Sequence, residues 1–330
     1  MRRQNYLYSS IFSKEMTDYI KLRRESGKYI AKTESTLKDL DAFLVDINLN
    51  NKVISHDILS EWQKTRTVCA VTKHQDCAHV NGFCSYLNTL GIEAAIAEKP
   101  KFKSEYVPYI FNSEEMERII FAADNCQTNK KLTRASTIFP VLLRILYGCG
   151  LRLGEGLNLR WNDIDLPLGV IYLRNTKSGK ARRVPMDSTL TEILVAYRKL
   201  TQEKGICTNY LFESYYCEDT PMRNNTFWRW FSDIMKSANV QFVKQSSSER
   251  GPCAHCLRHT FAHNSFLKSY ENDLPFDDFS HYLEAYLGHN SLLETQAYLR
   301  SSYTVYIQTH ERLNKEIGNI FPEVLFNEEQ

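Results

Sequence analysis

Two arginines, two histidines and one tyrosine, carried on three separated segments, make up a set of side chains able to hold and attack a phosphodiester. The segments are GCGLRLGE from Gly148 to Glu155, HCLRHTFAH from His255 to His263, and LGHNSLLETQAYLR from Leu287 to Arg300. Arg152 follows two glycines at the end of an apolar run, where the chain can turn tightly and aim a guanidinium into a cleft. Its planar bidentate donors suit a phosphate that must be held in one orientation. Glu155 could orient Arg152 or sit on a helix surface. On a helix, residues three apart share a face, so His255 and Arg258 can address one anion together, while His259 could pack or hydrogen-bond internally. His289 follows Gly288, and Tyr298 lies nine residues later, after a helix expected to begin near Ser291. A phenol is a weak nucleophile at neutral pH and needs cationic neighbours and a base to react. Together these groups point to DNA strand cleavage and rejoining.

A further basic cluster lies between Arg174 and Pro185. Arg174, Lys177, Lys180, Arg182 and Arg183 occur there without an acid, on a stretch whose two β-prone runs flank SerGly and lysine and so predict a hairpin. Such a cluster could reach along a DNA backbone, or could protect a solvated strand edge. A lysine at the hairpin tip, Lys177, can deliver a proton to a leaving oxygen. Cys253, His255, Cys256, His259 and His263 are all possible zinc ligands, but their spacing reads as neither CxxC pairs nor a complete zinc-finger pattern and no second thiol pair sits at a familiar distance, so no metal is expected.

The elements that must position these groups follow from apolar spacing. Phe12, Met16 and Tyr19 form one helical stripe, Leu37, Leu40, Phe43, Leu44 and Ile47 a second, and Val80, Phe83, Cys84 and Leu87 a third, which predicts a small helical bundle over residues 1–98. Residues 99–112 combine prolines and lysines with little periodicity and read as a linker. Asn112 or Ser113 could cap the next helix, since Glu114 and Glu115 fall in its first turn. From there to residue 330 a second domain is expected, mostly helical with a small antiparallel sheet, giving an α+β class overall. Thr137 to Tyr147 is an apolar helix candidate. Helical stripes return at Leu190, Ile193, Leu194 and Tyr197, and at Phe227, Trp230, Phe231 and Ile234, while QSSSERG from Gln245 to Gly251 reads as a flexible loop.

At 330 residues the chain is long enough for two domains with their own cores. The formal net charge of only +2 does not by itself announce a nucleic-acid partner, so local charge carries that case. No segment is long and apolar enough to span a bilayer, and the N-terminus lacks an apolar stretch of signal-peptide length, so a cytoplasmic protein is expected. Nine cysteines in such a chain read as reduced thiols.

Taken together, the motifs resemble the tyrosine recombinase, or phage integrase, family. GCGLRLGEGLNLRWNDID is similar to that family's first arginine box, TKSGKARRVPM to its lysine-bearing hairpin, HCLRH to its HxxR box, and LGHNSLLETQAY to its histidine-to-tyrosine box. The motif resemblance covers roughly Asn112 to Arg300. It implies an N-terminal core-binding domain and a C-terminal catalytic domain that clamp duplex DNA, with four protomers joining two DNA sites. Arg152, Arg258 and His289 would then stabilise the scissile phosphate, Tyr298 would be the nucleophile, Lys177 would protonate the departing 5′ hydroxyl and His255 would help manage the tyrosine proton. The product would be a 3′-phosphotyrosine, reversed by a partner 5′ hydroxyl without cofactor or metal. The expected setting is integration or excision of a mobile element. Gly154 replaces a serine common in the family, and Asn264 to His281 is longer and more acidic than the usual connection. A tail over residues 304–326 is expected to exchange between protomers of a tetramer or to pack on its own domain. A type IB topoisomerase and a catalytically idle DNA-binding protein of the same fold are the alternatives.

Overall fold

The computed structural model describes residues 6–27, 31–102, 108–126, 135–174, 181–205, 208–214, 219–244, 251–272 and 274–289. Lys177, Lys180, Tyr298, the helix expected near Ser291, the 304–326 tail and most of the Gln245 to Gly251 loop lie outside these residues. The chain divides into two compact units, Met1–Glu105 and Tyr106–Gln330.

Among the described residues four helices build the first unit: α1 (Ser13–Glu25), α2 (Ala31–Asp46), α3 (His56–Thr65) and α4 (Ala70–Thr89). The three apolar stripes meet in its core, where Phe12, Met16, Leu37, Leu40, Val80, Phe83, Cys84 and Leu87 are all sealed from solvent. Ile47 departs from the expected stripe: it lies beyond the end of α2 and is 38% exposed. Polar pins tie the helices together. The fully buried Asp76 carboxylate on α4 accepts from Lys32 at 2.6 Å, Arg66 at 2.7 Å and Thr36 at 3.1 Å. Burial alone would raise its pKa, but these donors hold it below the usual carboxylate range. Asp41 accepts the backbone N–H groups of Ser9 and Ser10, fixing the chain's entry into α1.

The second unit opens with α5 (Ser113–Asp124), capped by Asn112. Its side chain accepts from Glu115 N while the Glu115 carboxylate accepts from Asn112 N, a reciprocal capping box. The apolar run becomes α6 (Ala135–Gly148), with Phe139, Leu142, Leu143, Ile145 and Leu146 fully buried. A short α7 (Leu153–Leu157) and a three-residue turn of 3₁₀ helix follow. Among the described residues the sheet has three antiparallel strands in the order β1 (Ile164–Asp165), β2 (Val170–Leu173) and β3 (Arg182–Pro185). The β2–β3 pairing sets Ile171 opposite Val184 and Leu173 opposite Arg182. The helices α8 (Ser188–Glu203), α9 (Asn224–Ser237), α10 (Ala254–Glu271) and α11 (Phe276–Leu287) complete the described unit. The apolar stripe of α9 is buried, with Phe139 stacked on Phe227 and Trp230 across the α6–α9 contact. The acidic stretch from Asn264 to His281 is absorbed by the end of α10 and the start of α11. No described helix is long and apolar enough to cross a membrane.

Candidate active site

The site is organised by the last turn of α11. A helix C-terminus leaves its final carbonyls without intrahelical partners and concentrates negative partial charge there. Gly288 ends α11 in the left-handed conformation, with φ +67°, and both Gly288 N and His289 N return to Glu284 O. Three consecutive carbonyls at this end are then each met by a different arginine. Arg182 Nε donates to Tyr286 O at 2.9 Å, Arg258 Nη2 to Leu287 O at 2.8 Å, and Arg152 Nη2 to Gly288 O at 3.3 Å. Residues distant in sequence are thereby brought to one point.

Arg258 is completely buried on α10, and its Nη1 donates to Gly150 O at 2.9 Å. Gly150 has φ +58°, and an added Cβ would lie 2.5 Å from Phe261 Cδ1. Only a glycine fits there, because the turn that presents its carbonyl to Arg258 also presses the backbone against Phe261. Two residues later Arg152 caps α7, and its side chain is 23% exposed.

Glu155 joins two of the arginines. It accepts Arg152 N at 2.9 Å and Arg152 Nη1 at 3.1 Å, and it takes a bidentate pair from Arg182 at 3.0 and 2.8 Å. Burial would raise the Glu155 pKa, but the Arg182 bonds and the neighbouring charges of Arg182 and Arg152 hold it below the ordinary value. Arg182 itself is only 6% exposed in its side chain, so this hairpin arginine points into the protein instead of out along a DNA backbone. Strand alternation explains the placement, since Arg182 shares the inward face of β3 with the fully buried Val184, while Arg183 points outward over the Tyr172 ring.

His289 follows directly on this cluster and is 4% exposed. Burial, then the positive charge of Arg258, Arg152 and Arg182, pushes its pKa down to about 3. The imidazole is therefore neutral near pH 7. His259, behind it on α10, is pushed down to about 3 by burial and by His255, Arg258 and His289. His255 and Arg258 differ in depth: His255 is exposed on the first turn of α10, with its ring 4.6 Å from that of His259, while Arg258 is sealed below.

An open cleft of about 780 Å³ runs past Arg152 and Glu155 and is also lined by Arg160, Tyr172, Arg174 and Tyr210. Arg174 is exposed at the end of β2, so one basic member of the hairpin shares the cleft with Arg152. Arg160 was not among the sequence-derived candidates. It donates to Tyr210 Oη at 3.0 Å and lies over that ring, which holds a cation at the cleft wall. The arginine within LRWND is the signal that could have flagged it. Cys253 and Cys256 do stand in a C-x-x-C pair, contrary to the expectation that their spacing matches none, and their sulfurs lie 3.4 Å apart at the start of α10. Among the described residues no three His, Cys, Asp or Glu side chains gather as a metal site would require.

Comparison with known proteins accords with this geometry. The phage integrase family model matches residues 110–304. The y4rB protein of Sinorhizobium fredii, whose integrase/recombinase name is itself provisional, is 28% identical over 318 residues, covering 93% of this chain and 98% of that protein. The tyrosine recombinase XerA of Pyrococcus furiosus is 27% identical over 227 residues, 68% of each chain. In fold, the chain is similar to the XerH site-specific recombinase bound to difH substrate in a pre-cleavage complex, with a TM-score of 0.63 and 20% identity over 90% of this chain and 82% of that one. A lambda integrase dimer bound to a core site gives a TM-score of 0.59 and 16% identity over 86% and 94%. With more than half its length matched by the family model, the chain belongs to the phage integrase family of tyrosine recombinases, which are DNA strand transferases.

Proposed function

We propose that this protein cleaves and rejoins duplex DNA at specific sites by passing one strand through a 3′-phosphotyrosine on Tyr298. The observation that carries the reading is the convergence of Arg152, Arg258 and His289 on the end of α11, with His289 nine residues before Tyr298 in the chain. In the proposed step the Tyr298 oxygen attacks phosphorus, the P–O5′ bond breaks, and the departing 5′ oxygen takes a proton from Lys177. His255, exposed beside the cluster, would receive the tyrosine proton. Arg152, Arg258 and neutral His289 would donate to the nonbridging oxygens as negative charge builds on them. Bond energy is retained in the new diester, so a 5′ hydroxyl from a second strand can reverse the step.

Residues 1–98 act in this reading as the core-binding domain, residues 99–112 as the linker and residues 113–330 as the catalytic domain. Arg174, Lys180, Arg183 and Arg160 supply backbone contacts, with Arg182 held inward by Glu155. Integration or excision of a mobile element is the proposed setting, in keeping with the integrase name of the y4rB relative. The active assembly is a tetramer on two DNA sites joined by exchange of the 304–326 tail.

The test is covalent capture on a pool of nicked suicide duplexes with randomised centres. Wild type should yield protein–DNA adducts that survive denaturation and converge on one sequence class, and Tyr298→Phe should yield none. Adducts of equal amount in Tyr298→Phe, or none with wild type, would overturn the assignment.

A further inference from the structure

The first turn of α10 carries a feature that phosphoryl transfer does not require. Cys253 and Cys256 flank Ala254 and His255, and their Sγ atoms lie 3.4 Å apart. Cys256 N donates to Cys253 O at 2.9 Å, so the four residues form one tight turn at the N-terminus of an 18-residue helix. A disulfide requires a sulfur separation of about 2.05 Å and closely spaced Cα atoms. The turn meets the second condition, since residues three apart across such a turn lie within about 7 Å. Closing the bond needs only about 1.4 Å of sulfur movement. Among the described residues no other pair of sulfurs is in contact.

The two sulfurs differ in access. Cys256 is fully buried, while Cys253 is partly exposed and can be reached first. The hydrogen bond to Cys253, and then burial, raises the Cys256 pKa and keeps the proton on the inner sulfur. A C-x-x-C pair at a helix N-terminus is a setting that favours thiolate chemistry at the outer position.

We propose that Cys253 and Cys256 form a thiol–disulfide modification site, oxidised by low-molecular-weight disulfides, and that oxidation suppresses DNA strand cleavage by closing a ring around His255. The Cys253 thiolate attacks the small disulfide RSSR, forming a mixed disulfide and releasing one RSH after protonation. The Cys256 thiol then loses its proton and attacks the Cys253 sulfur, expelling the second RSH. Two protein thiols become one disulfide and one RSSR becomes two RSH. Small thiols in excess run the sequence backwards, as expected for a reversible site in a reducing compartment. The coupling to activity rests on the strand-transfer reading above and follows from position. His255 lies inside the ring, and Arg258 follows Cys256 by two residues on the same helix. Displacements near 1 Å at a reacting centre can cost about a hundredfold in rate.

The experiment uses the full chain, reduced or treated with oxidised glutathione. Peptide mapping should find residues 251–258 lighter by two hydrogens, with Cys253 joined to Cys256. Adduct formation on the suicide duplex should fall roughly ten- to a hundredfold and return with dithiothreitol. Cys253→Ser should cleave like reduced wild type and ignore oxidised glutathione. Absence of the mapped disulfide, unchanged cleavage once it has formed, or equal inhibition of Cys253→Ser would each overturn the proposal. Failure of the reduced wild type to form any adduct would bring down the strand-transfer reading and the inhibition with it, and the mapped disulfide would still decide the thiol site.

Discussion

Replacing Glu155 with glutamine isolates the contribution of one carboxylate to the architecture of the site. Glu155 is 6% exposed in its side chain and accepts four hydrogen bonds, two from Arg152 and two from Arg182. A glutamine keeps the shape and one acceptor oxygen, but its amide nitrogen then faces two donors, and the two cations lose their shared anion. Two lost charge-assisted bonds at about 1.5–3 kcal/mol each give about 3–6 kcal/mol. That agrees with the roughly 3–5 kcal/mol cost of breaking a buried ion pair. At about 2–4 °C per kcal/mol for a domain of this size, the melting transition should fall by ~10 °C at pH 7. The pH dependence gives a second handle. The folded-state pKa of Glu155 lies below its ordinary 4.5, so its contribution is complete above the unfolded-state pKa and is lost as pH falls through the folded one. The gap between wild type and Glu155→Gln should therefore narrow below about pH 4.5. Differential scanning calorimetry of the full chain measures this, with the relevant transition identified by hydrogen exchange of Leu153–Leu157. A gap under about 1 °C at pH 7, or one that stays constant into acid, would refute the view that the carboxylate holds the two arginines in place.

Two other perturbations probe the same cluster. Arg258→Lys should abolish adduct formation while lowering nonspecific duplex affinity in anisotropy titrations by less than about tenfold, because a lysine cannot reach both Gly150 O and Leu287 O and many other phosphate contacts remain; parallel losses of binding and cleavage would count against a role at the scissile phosphate. His289 should remain neutral in NMR titrations of the anion-free protein until near pH 3, so that below about pH 6.5 it draws stability from the fold as the unfolded chain takes up the proton first. Added vanadate should raise that pKa by offsetting the three arginines, and a titration midpoint near 6.5 without anion would contradict the buried, cation-crowded setting.

Much of the site was legible in the residues themselves. The glycines before Arg152 announced a turn, and Gly150 has the positive φ that such a turn needs. Asn112 could be read as a cap from the acids that follow it, and the basic stretch as a hairpin from its β-prone flanks. Depth was harder to read. Arg182 and Arg183 are adjacent cations, and only strand alternation against Val184 tells which one turns inward. The His255 and Arg258 pair shares one helix, yet burial of Arg258 depends on carbonyls supplied 108 residues before it and 29 after it, which no local pattern reveals. Helix α3 carries no long apolar stripe because it is short, with only Leu59 and Trp62 buried.

The capping of α11 by three guanidiniums also bears on how the protein's hold on DNA should respond to salt. Affinity for a polyanion falls with ionic strength in proportion to the phosphates neutralised by cations and the counterions thereby released. Arg182 and Arg258 are held by helix carbonyls, and Arg182 also by Glu155, within the fold and away from mobile ions, while Arg152 reaches the open cleft. On the proposed reading, a phosphate arriving at this cluster would be drawn by fixed geometry more than by counterion release. The steepness of the salt dependence should then be set by outward cations such as Arg174 and Arg183, so tightness of grip and competence to cut become separately adjustable properties of one surface.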